Sequence, residues 1–503
     1  MAHINFIPPY INGHFVPLSK PERIFQSHNP ANPNDIVAQA GWSKEFIDPV
    51  VSGMKEAQKK FRLCSIDERL AFVQNLIGFL KDNSDEIKSH MMLELSRSRV
   101  SVDDEWRLCE KLFLLLPEFC KKTLEVKRDE EGWEWFYAPL GMVLVSSNIA
   151  LPVYSLLSSV LPALVAGNAV CIRPSSHCLL SGSLLASGFH QASFPAGVVQ
   201  VVYGDFEVFR RLLLTHQFNT VLYTGGEESL EQLRRDTSTQ QNIRLVLCGG
   251  GKNAAYVTAD ANIDESIQKI IYGSCLDAGQ RLESTGLVFL SKKIVNEFTD
   301  KFVGAIKKMP IGAREDLNRT DLHVMEPLCS TTAWERYLRF QGIAAREADE
   351  TLRWGKSIDN STEGYFVSPG VHAMAADKVI RSIYASNAFF GPDVCLVPVD
   401  EDEQVISILD NLTATRCLAI HSLYSEVVAN IRRKSNVPSI LWNAATTELN
   451  PALPSIGRGN AGSNYVTGVR FLLSTVYPQT LNLSALKTAP KNDSLGRVKK
   501  KKT

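Results

Sequence analysis

The sequence predicts an α/β fold with a doubly wound parallel sheet, followed by a second α/β region. Two observations carry this prediction. The chain has 503 residues, of which 45% are hydrophobic and 21% charged, and this composition is typical of a large globular protein with two or three domains. Between Gly141 and Gly251, short apolar runs alternate with segments of helical periodicity, which is the pattern of a parallel sheet with crossover helices.

The alternating segment is predicted in chain order. It starts with a strand at 142–145, a loop at 146–152 and a helix that ends at Leu164. The prediction continues with a strand at 169–172, a helix at 179–191, a strand at 198–202, a helix ending at 214, a strand at 220–223, a Gly225-Gly226 turn, a helix, and a strand at 244–247. Repeated strand, crossover helix and parallel strand predict a doubly wound sheet of the nucleotide-binding type.

The remaining segments complete the predicted domain organisation. The amino-terminal region is predicted to be mostly helical, for example at 66–81, and a helix at 264–276 precedes a loop at Gly279 in the second α/β region. A hairpin at 125–137 and an apolar strand at 468–483 belong to neither core, and strands outside their own sheet predict a symmetric oligomer. The predicted units are 1–121 with 139–250 (dinucleotide-binding), 251–449 (catalytic-type), 122–138 with 466–487 (oligomerisation arm) and 488–503 (basic tail).

Charge and segment composition predict the class of partner. Lysine plus arginine and aspartate plus glutamate both number 54, so no overall field favours nucleic acid or a membrane, and a small ligand or another protein is expected. Since neither a signal sequence nor an apolar run of about 18 residues is found, a cytoplasmic protein is expected. The run Lys499–Lys502 is interpreted as a solvated tail, with RNA or anionic lipid as the alternative.

The ten cysteines are scattered through apolar segments, without paired spacing and without histidines at metal-ligand spacing. We expect most of them to be reduced and buried, and we expect no metal site.

The order of several motifs resembles the aldehyde dehydrogenase superfamily over nearly the whole chain. The motifs run from Ile11-Asn-Gly-His-Phe-Val16 and Asn29-Pro-Ala31 to Pro454-Ser-Ile-Gly457. Within the superfamily, Trp442-Asn443 and the stretch from Gly457 to Gly462 are most similar to succinylglutamate semialdehyde dehydrogenases. The resemblance implies an aldehyde dehydrogenase-like fold with a homodimer or homotetramer, and NAD or NADP as cofactor.

The catalytic positions that the resemblance implies are only partly filled. The family's mechanism uses a cysteine thiolate, an oxyanion hole, a nicotinamide and a glutamate base. Asn148 falls on the oxyanion position, whereas Cys248 falls on the position of the base and Leu282 on that of the nucleophile. Glu283, beside the vacant position, is a candidate base for Cys248. Alternatively, the side chain of Asn148 forms hydrogen bonds with nearby backbone groups and has no role at an oxyanion.

The cofactor positions depart from the family pattern in the same way. Arg173 keeps a phosphate-binding charge, but Ser176 and Ala388 replace the glutamates implied for the two riboses. The Gly225-Gly226 turn keeps a helix start suited to a pyrophosphate. Gly249 and Phe390 complete the implied cofactor residues. Alternatively, the glycines serve tight turns alone, and Lys252 and Phe390 serve packing.

Three functional hypotheses follow. The first is a catalytically inactive homologue whose cleft and oligomeric shell serve binding, scaffolding or regulation of another protein. The second is an active NAD(P)-dependent oxidoreductase that converts an aldehyde or semialdehyde to an acid, with Cys248 as a relocated nucleophile. The third is a nucleotide-binding protein without redox chemistry, supported by Arg173 and the Gly225-Gly226 helix start.

Overall fold

The computed structural model describes residues 5–147, 149–312, 324–359, 362–459, 461–462 and 467–483. In these ranges the chain forms two seven-stranded sheets, two three-stranded sheets and a two-stranded ribbon. The α/β class predicted from the sequence is confirmed.

The amino-terminal region is mostly helical, as predicted, but residues 5–42 form strands instead. Strands β1 (Asn5–Ile7), β4 (Arg23–Asn29) and β5 (Asn32–Trp42) form a sheet in the order β1-β5-β4. The tight connection at Pro30-Ala31 lets β4 and β5 pair as a hairpin. Polar residues interrupt the alternation of apolar and polar side chains in both strands, so the sequence pattern does not identify them. The helices that follow are α1 (Ile47–Phe61), α2 (Ile66–Asp82), α3 (Ser84–Leu95) and α4 (Arg99–Leu124).

The first large sheet contains the five predicted parallel strands. Its members are β2 (Tyr10–Ile11), β3 (His14–Phe15), β8 (Met142–Ser146), β9 (Ala169–Arg173), β10 (Val199–Val201), β11 (Thr220–Thr224) and β12 (Arg244–Cys248). Their spatial order is β12-β11-β8-β9-β10-β2-β3, so successive strands are added on one side of β8 and then on the other. The boundary between the neighbouring strands β8 and β11 is therefore a topological switch point, and doubly wound sheets bind ligands at such a point.

The crossover helices of this sheet also lie where they were predicted, within two residues wherever both ends were given. They are α5 (Pro152–Val165), α6 (Leu179–Gln191), α7 (Phe206–Leu213) and α8 (Glu227–Thr237). Every residue of α5 is buried, because this helix packs between the sheet and the amino-terminal helices.

The second large sheet carries the other half of the chain. Its strands are β13 (Asn253–Val257), β14 (Thr285–Ser291), β15 (Glu350–Arg353), β16 (Gly370–Ala373), β17 (Asp393–Val399), β19 (Cys417–His421) and β20 (Ser439–Trp442), in the order β15-β16-β17-β14-β13-β19-β20. The described helices are α9 (Ile263–Cys275), α10 (Val295–Lys308), α11 (Thr331–Glu347), α12 (Ile383–Ser386), α13 (Asp402–Asn411) and α14 (Ser425–Lys434). Short 3-10 turns occur at Lys44–Phe46, Leu276–Gly279, Ala376–Arg381 and Val469–Ser474. Separate apolar cores cover the two faces of this sheet.

A small sheet projects from these cores. It consists of β6 (Lys127–Arg128), β7 (Trp133–Pro139) and β22 (Val476–Asn482), in the order β22-β7-β6. The strand predicted at 468–483 is wrong in its first half, because Val469–Ser474 forms a 3-10 turn whose Phe471 and Leu472 are buried in the same core as α5. The ribbon pairs β18 (Ala414–Thr415) with β21 (Arg458–Gly459). The domain limits given above stay predictions.

All ten cysteines are free, and eight of them are buried, as expected for most of them. In the described ranges, no helix combines the length and the apolar character needed to cross a membrane. No three histidine, cysteine, aspartate or glutamate side chains in those ranges are grouped so that they could hold a metal ion.

His421, at the end of β19, should make the protein sensitive to acid. Its side chain is buried, its Nε2 has no hydrogen-bond partner in the described structure, and burial, with Lys269 adding to it, lowers its pKa to about 4. Between pH ~6.5 and 4 the unfolded chain binds a proton here that the folded chain does not. The contribution of His421 to the free energy of unfolding should therefore be largest above pH ~6.5. It should decrease by about 3 kcal/mol as the pH falls to 4.

Urea unfolding at a series of pH values measures this loss. His421→Gln should flatten the acid side of the profile, whereas His14→Gln, at an exposed position, should leave it unchanged. Equal acid sensitivity in the wild type and in His421→Gln would show that His421 does not titrate in this window.

Candidate functional site

A cleft of about 300 Å³ opens at the switch point, outside the carboxyl ends of β8, β9 and β11. It is lined by Ser147, Ile149, Arg173, Ser175, Ser176, His177, Asp205, Phe206, Tyr223, Thr224, Gly225, Gly226, Gln280, Leu282, Cys329, Arg336 and Phe390. Five of the six residues predicted to bind a cofactor thus lie in one cleft. The sixth, Gly249, is not part of the lining, and its N–H donates to the carbonyl of Ala461 at 3.1 Å.

Arg173 is the last residue of β9, and its side chain is almost completely buried in the wall of this cleft. Its Nη1 donates to the carbonyl oxygens of Pro174 and Gly204, both at 3.3 Å, and its Nη2 donates to the hydroxyl of Ser146. The Nε has no partner in the described structure. Burial lowers the pKa of this guanidinium. Because it is hydrogen-bonded only to neutral groups, an anion in the cleft would stabilise it.

A second arginine in the cleft was missed by sequence reasoning. Arg336 lies on α11, and its guanidinium carbon is 5.5 Å from the centre of the Phe390 ring. Its Nε likewise has no partner in the described ranges, and burial lowers its pKa. The sequence carried no signal for it, because a single arginine on an amphipathic helix looks like an ordinary surface charge.

Leu282, at the position implied for the nucleophile, lines the same cleft. Its carbonyl oxygen accepts from Asn253 Nδ2 at 2.8 Å, and Asn253 also donates to the carbonyl of Ser284 at 3.2 Å. These bonds fix the loop before β14 against the start of β13. The side chain presents apolar surface and no nucleophilic atom to the cleft.

Cys248 is the last residue of β12 and is fully buried. Arg416 Nη1 donates to its Sγ at 3.5 Å. Burial raises the pKa of the Cys248 thiol, while the Arg416 guanidinium opposes this rise and Glu283 adds to it. The net effect keeps the thiol protonated, and Cys248 is absent from the described lining of the switch-point cleft.

Glu283, the predicted base for Cys248, is bound to the same arginine. Arg416 Nε lies 3.3 Å from Glu283 Oε1, and the two remaining nitrogens donate to the carbonyl of Ala461 at 2.7 Å and the hydroxyl of Ser455 at 3.2 Å. The guanidinium therefore binds both partners of the predicted cysteine–glutamate pair. Arg416 itself was not predicted, since nothing in its local sequence distinguishes it.

A second cavity, of about 510 Å³, lies beyond this contact. It is lined by Lys111, Tyr154, Glu283, Arg416, Cys417, Ser439, Ile440, Leu441, Trp442, Ala444, Thr446, Glu448, Leu449, Asn450, Leu453, Pro454, Ser455, Ile456 and Thr467. Among the described residues, none belongs to both linings. Leu282 faces the first cavity and Glu283 the second, so the Arg416 contact lies between the two.

A cluster of buried charges fixes the loop that carries Leu282. Arg97 pairs with Asp277 at 2.7 Å and with Glu105, and Arg281 Nε lies 2.5 Å from Asp277 and Nη1 2.6 Å from Asp104. Although burial alone would raise it, Arg97 and Arg281 hold the pKa of Asp277 below its usual range. The cluster therefore stabilises a turn in which Asp277 has a left-handed backbone, with φ of 54°.

The predicted oxyanion donor, Asn148, lies outside the described residues. The helix that follows it, α5, is tied to the same charge cluster, because the N–H groups of Val153 and Tyr154 both donate to Glu105 Oε1 at 2.8 Å. Glu105 thus stabilises the positive end of this helix.

A doubly wound parallel sheet with a cleft at its switch point is the architecture of the large α/β class in which ligands bind outside the carboxyl ends of the strands. The model of the aldehyde dehydrogenase family matches residues 15–480, and the chain belongs to that family.

Relatives with known activities are distant. An α-ketoglutaric semialdehyde dehydrogenase of Bacillus subtilis is 25% identical over 80% of this chain and 82% of its own length. A human 2-aminomuconic semialdehyde dehydrogenase is 26% identical over 80% and 83%. An NADP-dependent glyceraldehyde-3-phosphate dehydrogenase of Streptococcus equinus is 24% identical over 93% and 96%.

Solved structures confirm the fold. A Thermus 1-pyrroline-5-carboxylate dehydrogenase with bound NAD superposes with a TM-score of 0.87 at 19% identity, covering 95% of this chain and 93% of that one. The lactaldehyde dehydrogenase of Escherichia coli gives a TM-score of 0.87 at 19% identity, over 95% and 99%. The similarity to the succinylglutamate subgroup stays a prediction.

Proposed function

We propose that this chain is a binding protein with the aldehyde dehydrogenase fold that does not oxidise aldehydes. The observation that carries the proposal is the contact of Arg416 with both Cys248 and Glu283, between the two cavities. A dehydrogenase of this family must bring its aldehyde and its nicotinamide together, because hydride passes from the reactive carbon of the substrate to the nicotinamide. Here the residue between the cavities is a guanidinium that is already bound on all its nitrogens.

The chemistry of the neighbouring residues supports the same proposal. Leu282 cannot form a thiohemiacetal, and the Cys248 thiol is buried and kept protonated by that burial. Glu283 is held by Arg416 and so is not available to activate water. Removing the groups that act as a unit in an enzyme can lower turnover by something on the order of 10⁶.

The alternative is an active oxidoreductase in which Cys248 replaces the missing nucleophile and oxidises a semialdehyde, as the names of several relatives suggest. The observation that favours it is the cationic Arg416 beside Cys248 Sγ, since a positive neighbour lowers a thiol's pKa.

Steady-state oxidation of a panel of aldehydes and semialdehydes with NAD and NADP separates the two proposals. We expect no turnover above the protein-free rate in the wild type, in Cys248→Ser or in the matched control Cys329→Ser, whose thiol lines the cleft. Turnover that Cys248→Ser abolishes and Cys329→Ser preserves would establish the alternative.

The cleft fits the phosphates of a dinucleotide better than its riboses. Arg173, Ser176, Gly225, Gly226 and Phe390 would hold NAD or NADP, which would supply hydride acceptance when bound. With Ser176 and Ala388 at the positions implied for the ribose carboxylates, we infer weak binding of NAD.

We further infer a homodimer or homotetramer that forms through the projecting sheet, and we infer a cytoplasmic location. Trp133 and Trp135 are on one face of β7, exposed at 41% and 36%, and Leu481 is 50% exposed on the opposite face. Exposed aromatic side chains on a small sheet are typical of an interface between copies.

Replacing both tryptophans with glutamate should convert the oligomer to monomers, because the charges would have to be buried at the interface. Light scattering after gel filtration measures the mass. Leu114→Glu, at a leucine that is 81% exposed on α4, is the matched control and should keep the mass of the wild type. A wild type that is already monomeric would contradict the inference.

A further inference from the structure

Two guanidinium groups in the switch-point cleft lack a carboxylate partner. The one acidic residue in the described lining is Asp205, which is held by both terminal nitrogens of Arg23, at 3.1 and 2.5 Å. No ion pair joins Arg173 or Arg336 to a carboxylate in the described ranges. Burial lowers the pKa of His177 to about 4, so its imidazole is neutral. The lining therefore carries an uncompensated positive charge that an anion would balance.

The two arginines lie on different walls of the cleft. Arg173, 6% exposed, belongs to the wall of β9 beside Ser146, Pro174 and Gly204. Arg336 belongs to the wall of α11 beside Phe390. Each has an Nε without a partner in the described structure. A single ligand that contacts both guanidinium groups would have to reach from one wall of the cleft to the other.

A helix start lies in the same cleft. Gly226 is the cap of the 11-residue α8 and provides no side-chain hydrogen bond to the first turn. A Cβ added at Gly226 would meet no heavy atom within 4 Å, so the approach to these backbone N–H groups is open. The positive end of a helix is suited to phosphate, but Glu227 and Glu228 in the first turn offset part of this charge. The nearly buried Arg173 is therefore the stronger indication of an anion.

The size and the apolar walls of the cleft limit the ligand further. Its volume of about 300 Å³ is at the lower end of the range for ligand cavities, which favours a mononucleotide over a dinucleotide. Phe206 is half-buried in the wall, with its ring 5.4 Å from that of Tyr223. Such a ring offers a stacking surface for a base.

We propose that this cleft binds a nucleoside polyphosphate, with its phosphate chain extended from Arg173 past the start of α8 to Arg336. The proposal rests on the proposed function, since it makes this ligand the one that the non-oxidising cleft holds. Guanidinium groups recognise phosphate oxygens in bidentate fashion, and two of them at separate walls select a chain of phosphates over a single one. NAD has only one pyrophosphate, and its two riboses would meet Ser176 and Ala388 at the positions where the resemblance implies carboxylates.

Calorimetric titration of the full chain in magnesium-free buffer tests the proposal with ATP, AMP, inorganic triphosphate and NAD. We expect ATP to bind at least ten-fold more tightly than AMP, triphosphate or NAD. Arg336→Gln should weaken ATP at least ten-fold and change AMP less than two-fold. Arg339→Gln, at an exposed position of the same helix, is the matched control and should leave ATP binding unchanged.

Three results would overturn the proposal: NAD binding as tightly as ATP, equal binding of ATP and AMP, or unchanged ATP affinity in Arg336→Gln with a normal melting temperature. Triphosphate binding as tightly as ATP would contradict the role of the nucleoside. Aldehyde turnover, measured on the same samples, tests the proposed function separately. A protein that does not bind ATP can still lack aldehyde oxidation, and a protein that oxidises aldehydes does not need ATP to do so.

Discussion

Replacing Asp277 with asparagine should lower the free energy of unfolding by about 3–5 kcal/mol, because two buried guanidinium groups each lose one of their two carboxylate partners. Asp277 pairs with both Arg97 and Arg281, and it accepts from the hydroxyl of Ser101. Arg97 and Arg281 are nearly or fully buried, so water cannot replace the lost carboxylate. Urea unfolding followed by circular dichroism measures the change.

The matched control is Asp400→Asn. Asp400 pairs with Lys292 at 2.8 Å, but both side chains are more than half exposed, so the loss should be below about 1 kcal/mol. Equal effects of the two substitutions would show that the cluster around Asp277 is not the anchor of the loop that carries Leu282.

Replacing Arg416 with glycine should make Cys248 accessible to reagents and destabilise the protein. The guanidinium contacts Cys248 Sγ, Glu283, Ser455 and the carbonyl of Ala461, so its removal opens a path from the larger cavity to the thiol. We expect alkylation of Cys248 to accelerate at least ten-fold over the wild type. The free energy of unfolding should fall by about 3–5 kcal/mol, because Glu283 loses its countercharge.

Peptide mapping after treatment with a thiol reagent identifies the alkylated cysteine. Ser455→Ala removes one hydrogen bond of Arg416 but leaves the guanidinium in place, and it should keep Cys248 protected. If Cys248 is alkylated in the wild type as fast as in Arg416→Gly, the thiol is accessible without any change at Arg416, and the separation of the cavities is contradicted.

The doubly wound sheet could be predicted because each of its strands is specified by residues that are close together in the chain. Strands such as Met142–Ser146 and Ala169–Arg173 are short runs that are apolar up to their last residue and follow a glycine turn, and this pattern identifies buried parallel strands. The same pattern did not identify the strands at 5–42, and it wrongly predicted a strand at 469–474. In the first segment polar residues interrupt the alternation, and in the second Phe471 and Leu472 are apolar for helical rather than strand packing.

Residues of the candidate site could be predicted only where they belong to a sequence motif. Arg173, the Gly225-Gly226 turn and Leu282 follow strands or precede helices, and the switch point brings them into one cleft. Arg336 and Arg416 could not be predicted, because their roles depend on burial beside residues that are far away in the chain. Chain spacing also could not show that Cys248 and Glu283 share one guanidinium.

If no thiol of this chain captures an aldehyde, intact-mass spectrometry of the protein after incubation with a semialdehyde and NAD or NADP should show an unchanged protein mass. No reduced dinucleotide should form in the same samples. An acyl or thiohemiacetal adduct that maps to Cys248, together with reduced dinucleotide, would instead establish this chain as an active dehydrogenase.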